Sequence, residues 1–85
     1  MLEWKQIQNK EFLAMGSDYR YNVIYLLSNM AWSVLYRNNA NISWLTKNSQ
    51  PLSTRYGSLL DEHKFHTKEE AMNTAERHYK LLILK

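Results

Sequence analysis

The sequence predicts an α+β domain in which a small, mostly antiparallel β-meander of three to four strands packs on one C-terminal α-helix. Three observations carry this. The final stretch recurs at helical spacing behind a capping signal, and residues 19–37 alternate about a central turn pair. The 85 residues contain no cysteine, so a single domain (1–85) must be held by its own core rather than by disulfides.

The elements follow in order. Residues 4–15 supply a first strand that ends at Gly16-Ser17-Asp18. Residues 19–37 obey two periodicities. Read as one helix, Val23, Ile24, Leu26, Leu27, Met30, Ala31, Val34 and Leu35 form an apolar stripe with Ser17 as cap. Read as a hairpin turning at Ser28-Asn29, Leu27 pairs with Met30, Tyr25 with Trp32, Val23 with Val34 and Tyr21 with Tyr36, all on one face. The concentration of Tyr, Trp, Val and Ile, and a Ser-Asn pair suited to a turn, select the hairpin; a four-residue loop keeps the same pairing.

Asn38-Asn39-Ala40-Asn41 reads as a second turn, and Ile42-Ser43-Trp44-Leu45-Thr46 as a short strand. If Ile42 and Trp44 join the core face beside Tyr36 and Val34, that loop has an odd residue count. Residues 47–57, with the only proline, Pro51, are expected as a surface loop before a short strand at 63–65. Thr67 and Glu70 form a capping box, so a helix runs from Lys68 to Ile83 with Ala71, Met72, Ala75, Tyr79, Leu82 and Ile83 inward. Glu69 and Glu70 suit its positive end, and Glu76 with Lys80 makes an i,i+4 pair.

Charge is distributed unevenly. The net charge of +3 is modest, but residues 19–60 carry Arg20, Arg37, Lys47 and Arg55, seven of the eleven aromatic residues, and no Asp or Glu. A locally cationic region of this kind favours acidic or anionic partners. On the hairpin register Arg20 lies opposite Arg37, next to Asn22 and Leu35, on the face without the Tyr/Trp ladder. Like charges directly opposed destabilise a sheet unless solvent or an anion separates them. One reading is a site for phosphate or for a partner's carboxylates; the other is two side chains splayed into water at a strand end.

The rings of Tyr19, Tyr21, Tyr25, Trp32, Tyr36 and Trp44 offer either stacking platforms for unpaired bases or the buried face of the sheet. Core packing is the reading adopted, with Trp44 the ring expected to be exposed. His63 and His66 have metal-like spacing, with His78, Asp61 and Glu62 nearby, but residues three apart on a strand point to opposite faces. No G-x-S-x-G, P-loop or H-E-x-x-H motif occurs, so neither a cofactor, a metal site nor catalysis is expected. The first residues lack signal-peptide regions and no apolar run reaches membrane-spanning length.

Phe65-His66-Thr67-Lys68-Glu69-Glu70-Ala71, followed by Ala75-Glu76-Arg77-His78, resembles the strand-to-helix junction of short β-sheet-plus-helix proteins of phages and mobile elements. The upstream spacing of Trp4, Gly16, Tyr21, Val23 and Trp32 is similar to theirs, so the likeness covers most of the chain. It implies a non-enzymatic protein that binds and blocks host defence or nucleic-acid machinery, as anti-restriction and anti-CRISPR proteins do, in the host cytoplasm. The same junction resembles the arm-type DNA-binding domain of tyrosine recombinases, which implies cations on the sheet face away from the helix. With no catalytic domain following, an inhibitor or accessory factor is expected. The expected binding residues are Arg20, Arg37, Lys47, Arg55 and Trp44, and the partner an acidic protein or nucleoprotein complex, or alternatively DNA or RNA directly. The sequence assigns no oligomeric state.

Overall fold

A computed structural model describes residues 2–39, 41–52 and 61–83 of the chain. The strands run β1 (Lys5–Gln8), β2 (Glu11–Met15), β3 (Tyr19–Leu26), β4 (Ala31–Asn38), β5 (Ile42–Leu45) and β6 (Pro51–Leu52), followed by a 3-10 turn at Asp61–His63 and helix α1 (Lys68–Ile83). Each strand pairs antiparallel with the next, so the sheet order is the chain order. This is the expected α+β meander with its C-terminal helix.

The strand count differs from the expected three to four: five strands have four or more residues, and β6 adds a two-residue sixth. Residues 4–15 hold two strands because Asn9-Lys10 forms a tight connection between the opposed Gln8 and Glu11. That connection lacks the glycine that marks two-residue hairpins most clearly. The region after β5 also pairs sooner than expected. Thr46 turns the chain by accepting the Asn48 and Gln50 amides on its hydroxyl, and Pro51 then takes an edge strand, where a missing N–H is tolerated.

The β3–β4 hairpin has the register read from the sequence, from Tyr19 opposite Asn38 to Leu26 opposite Ala31. Residues 27–30 form a four-residue turn with Met30 at φ 50°, so Leu27 and Met30 are exposed at the tip rather than continuing the ladder. The next connection brings one correction. Asn38 and Asn41 exchange backbone hydrogen bonds at 3.0 and 3.3 Å, which closes a two-residue loop and sets Tyr36 opposite Ser43. The even count turns Ser43 and Leu45 to the core and puts Ile42 and Trp44 on the opposite face.

The core lies between the inner sheet face and α1. Ala14, Tyr21, Val23, Val34, Tyr36, Leu45 and Phe65 from the sheet side meet Ala71 and Ala75 of the helix. Small alanines let the helix approach closely, and the large rings fill what remains. Tyr21 and Tyr36 lie with ring centroids 5.0 Å apart, and His78 stands edge-on over both. Thr74 and His78 are buried on the helix face, whereas Ile83, expected inward, is exposed beyond the end of the sheet contact.

Helix α1 starts where the capping signal placed it. The Glu70 amide donates to the Thr67 hydroxyl at 3.2 Å, and the Glu70 carboxylate meets that same hydroxyl at 3.4 Å. Before it, the expected strand at 63–65 is reduced to a single bridge in which Phe65 and Trp32 exchange backbone hydrogen bonds. The Asp61–His63 turn bends the chain away before a second pair can form.

Candidate functional site

The helix covers one face of the sheet; on the other, beside a row Glu11, Ile24, Ser33 in which Ser33 is buried, lie two further cross-strand rows. The first runs Met15, Arg20, Arg37, Ile42 across β2, β3, β4 and β5. The second runs Leu13, Asn22, Leu35, Trp44 beside it, with Lys5 of β1 opposite Leu13. Alternate residues of a strand are about 7 Å apart, so the rows are near neighbours on one surface. Met15 and Ile42 are 61% and 57% exposed, and Leu13, Leu35 and Trp44 are half-buried.

Arg20 and Arg37 are directly opposed, as the hairpin register requires. Among the described residues the ion pair present is Lys64 with Asp61, so neither arginine has a carboxylate within ion-pair distance. Both line a shallow depression of about 270 Å³ with Gly16, Ser17, Asp18 and Asn38. Two unneutralised guanidiniums with a shared concavity can take a carboxylate or phosphate in the bidentate manner available to arginine.

The surface is not free of acids, although residues 19–60 are. Glu11 of β2 stands on the same face and accepts the Asn22 side-chain amide at 2.9 Å, and Asp18 borders the depression. A sheet face is assembled from neighbouring strands, so a window of sequence does not map onto one surface.

The expected site residues therefore separate. Arg20, Arg37 and Trp44 share the outer face. Lys47 lies instead on the helix side, where its backbone carbonyl accepts from the Arg77 guanidinium at 3.1 Å. Arg55 lies outside the described residues. In place of that grouping Lys47 joins Arg77 and Lys80 around a depression of about 390 Å³ that also includes Asn48, Ser49 and Leu81. The sequence signal for this second cluster was Arg77 and Lys80 at i,i+3, which places both on one side of the helix. It was obscured because Lys80 was paired with Glu76. In the structure Glu76 instead accepts the Leu2 amide at 2.8 Å and makes no ion pair with Lys80.

The histidines are dispersed in role. His63 is fully buried in the 3-10 turn and His66 is exposed. Nδ1 of His78 lies 2.7 Å from the Tyr21 hydroxyl inside the core. Burial, followed by the neighbouring Tyr36, pushes the Tyr21 phenol well above its ordinary range, so it stays protonated in this bond. Among the described residues no group of three or more His, Cys, Asp or Glu is arranged to hold a metal, and no helix is long and apolar enough to cross a membrane.

No protein-family model, curated protein sequence or solved structure matches the chain.

Proposed function

We propose that this is a non-enzymatic binding protein that docks its outer sheet face, centred on Arg20 and Arg37 with Trp44 beside them, onto an acidic protein or nucleoprotein. The observation that carries the reading is the row Met15, Arg20, Arg37, Ile42, in which two opposed arginines, without carboxylate partners among the described residues, are flanked by exposed apolar side chains. Arginine, tryptophan and methionine are the residue types enriched where protein surfaces meet. A partner that presents carboxylates between the arginines removes their mutual repulsion and covers the apolar ends of the row. The resemblance to short phage and mobile-element proteins fits an inhibitor of host defence machinery of the CRISPR type, acting in the cytoplasm. Direct DNA or RNA binding is the second reading, favoured by the half-buried Trp44 next to Arg37, since a ring beside a cation suits unpaired bases.

The test compares wild type with the Arg20→Glu, Arg37→Glu double variant in pull-downs from a host lysate, with and without nuclease. The double variant retains a like-charged pair, so its thermal midpoint should stay close to wild type while nuclease-resistant capture of an acidic partner is lost. Identical capture by both proteins refutes the reading. A gel-shift series on mixed DNA and RNA separates the alternative, because direct binding to phosphates weakens steeply as salt rises.

A further inference from the structure

A second cationic site lies on the helix flank and does not depend on the outer face. We infer that Lys47, Arg77 and Lys80 bind a phosphomonoester carried on a compact apolar body. All three line one depression, and among the described residues none has a carboxylate within ion-pair distance. Three like charges around a concavity repel one another and concentrate anions there.

The arginine is held ready. One terminal nitrogen of Arg77 donates to the Lys47 carbonyl at 3.1 Å and to the Thr74 hydroxyl at 3.2 Å. That fixes the plane of the guanidinium, and of its five N–H donors those on Nε and the other terminal nitrogen remain for a ligand. The chain that presents Lys47 is itself fixed. Ser49 adopts φ 60°, and its buried hydroxyl donates to the Thr74 carbonyl at 3.0 Å, which ties the β5–β6 turn to the helix.

The choice of phosphate follows from charge and shape. A carboxylate brings one negative charge to three positive ones, whereas a phosphomonoester at neutral pH brings nearly two and three acceptor oxygens. The apolar body follows from the neighbouring depression, of about 610 Å³, which shares Ser49 and Leu81 with the first. Its lining includes the apolar Pro51, Leu81 and Leu82 together with Tyr36, Asn38, Gln50 and His78. Leu81 is 51% exposed and is an apolar side chain shared by the two depressions. Small-molecule sites combine a few placed polar groups with apolar walls in this volume range.

The probes are phenyl phosphate, inorganic phosphate and phenol, titrated into the isotope-labelled full chain at low ionic strength and followed by amide chemical shifts. Phenyl phosphate should give saturable shifts centred on residues 47–49 and 77–82. Inorganic phosphate should bind the same amides about tenfold more weakly, and phenol should not saturate. The Arg77→Gln, Lys80→Gln variant should lose about tenfold or more in affinity for phenyl phosphate. Lys80→Glu alone should do the same if the double variant folds poorly, since the Lys80 side chain makes no hydrogen bond among the described residues. The Arg20→Glu, Arg37→Glu variant should show the wild-type saturable shifts at residues 47–49 and 77–82, which keeps this site's test apart from that of the outer face. The inference is overturned if phenyl phosphate gives no saturable shift, if binding survives Lys80→Glu, or if inorganic phosphate binds as tightly as phenyl phosphate.

Discussion

Replacing Tyr21 by Phe removes one oxygen from the centre of the core and leaves the ring in place. Tyr21 is completely buried, its hydroxyl lies 2.7 Å from Nδ1 of His78, and His78 is itself 6% exposed. A typical hydrogen bond contributes about 1 kcal/mol net, and depriving a buried polar partner of its bond costs about 1–3 kcal/mol. Total stability for a domain of this size is on the order of 4–13 kcal/mol. The substitution should therefore lower the thermal midpoint by roughly 5–20 °C. The alkaline limb supplies an independent check. Burial raises the Tyr21 pKa in the folded state, so the folded protein keeps a proton that the unfolded chain releases near pH 10. The stabilisation is fully present below about pH 10 and declines above it, by up to about 1.4 kcal/mol per pH unit. Urea melts at pH 7 and across pH 9–11 measure both quantities. Tyr21→Phe should be less stable at pH 7 and less sensitive to alkali; a loss below about 0.5 kcal/mol with an unchanged alkaline slope would refute the buried Tyr21–His78 bond as a structural element.

Gly16→Ala would set a Cβ 2.5 Å from Cε1 of Tyr19, whose ring packs 5.2 Å from Tyr79 and 5.6 Å from Tyr21. The ring must shift, so a loss of about 1–3 kcal/mol with a weakened near-ultraviolet tyrosine signal is expected by chemical melt and circular dichroism. Thr67→Ala removes the acceptor of the Glu70 amide and should cost about 1 kcal/mol, while Thr67→Ser should recover most of it.

Local chemistry was legible in the sequence, and the joining of segments was less so. The bounds of α1 and the β3–β4 register follow from signals contained within each element: a cap three residues from its partner, and an alternation that a slip of one residue would invert. Strand β5 depended on loop parity. Ile42 and Trp44 are as apolar as Leu45, so pattern alone does not say which set turns inward, and the Asn38–Asn41 backbone pair decides it. Arg20 and Arg37 were readable as neighbours because one hairpin contains both. The Lys47, Arg77 and Lys80 cluster joins residues some thirty positions apart, and Glu76, the acid one turn from Lys80, accepts the Leu2 amide instead of pairing with it.

The two cationic places differ in what holds them, and that difference bears on what each can bind. On the helix flank the cations ring a concavity whose backbone is fixed by the Ser49 and Arg77 hydrogen bonds to Thr74, a geometry suited to a small anion. On the outer face the arginines stand on two adjacent eight-residue strands in the middle of the sheet, with apolar neighbours extending along both rows. An antiparallel sheet with one face toward water ordinarily alternates apolar inward and polar outward. Here the outward positions Leu13, Met15, Leu35, Ile42 and Trp44 depart from that rule around the one like-charged rung. Neither departure helps the isolated fold: the rung is repulsive, and the exposed apolar groups gain nothing until they are covered. A single macromolecular surface bearing carboxylates relieves both, whereas a small anion between Arg20 and Arg37 would leave Met15 and Ile42 in water. On the function proposed above, the extent of the apolar rows, more than the charge, favours a protein partner over a small anion.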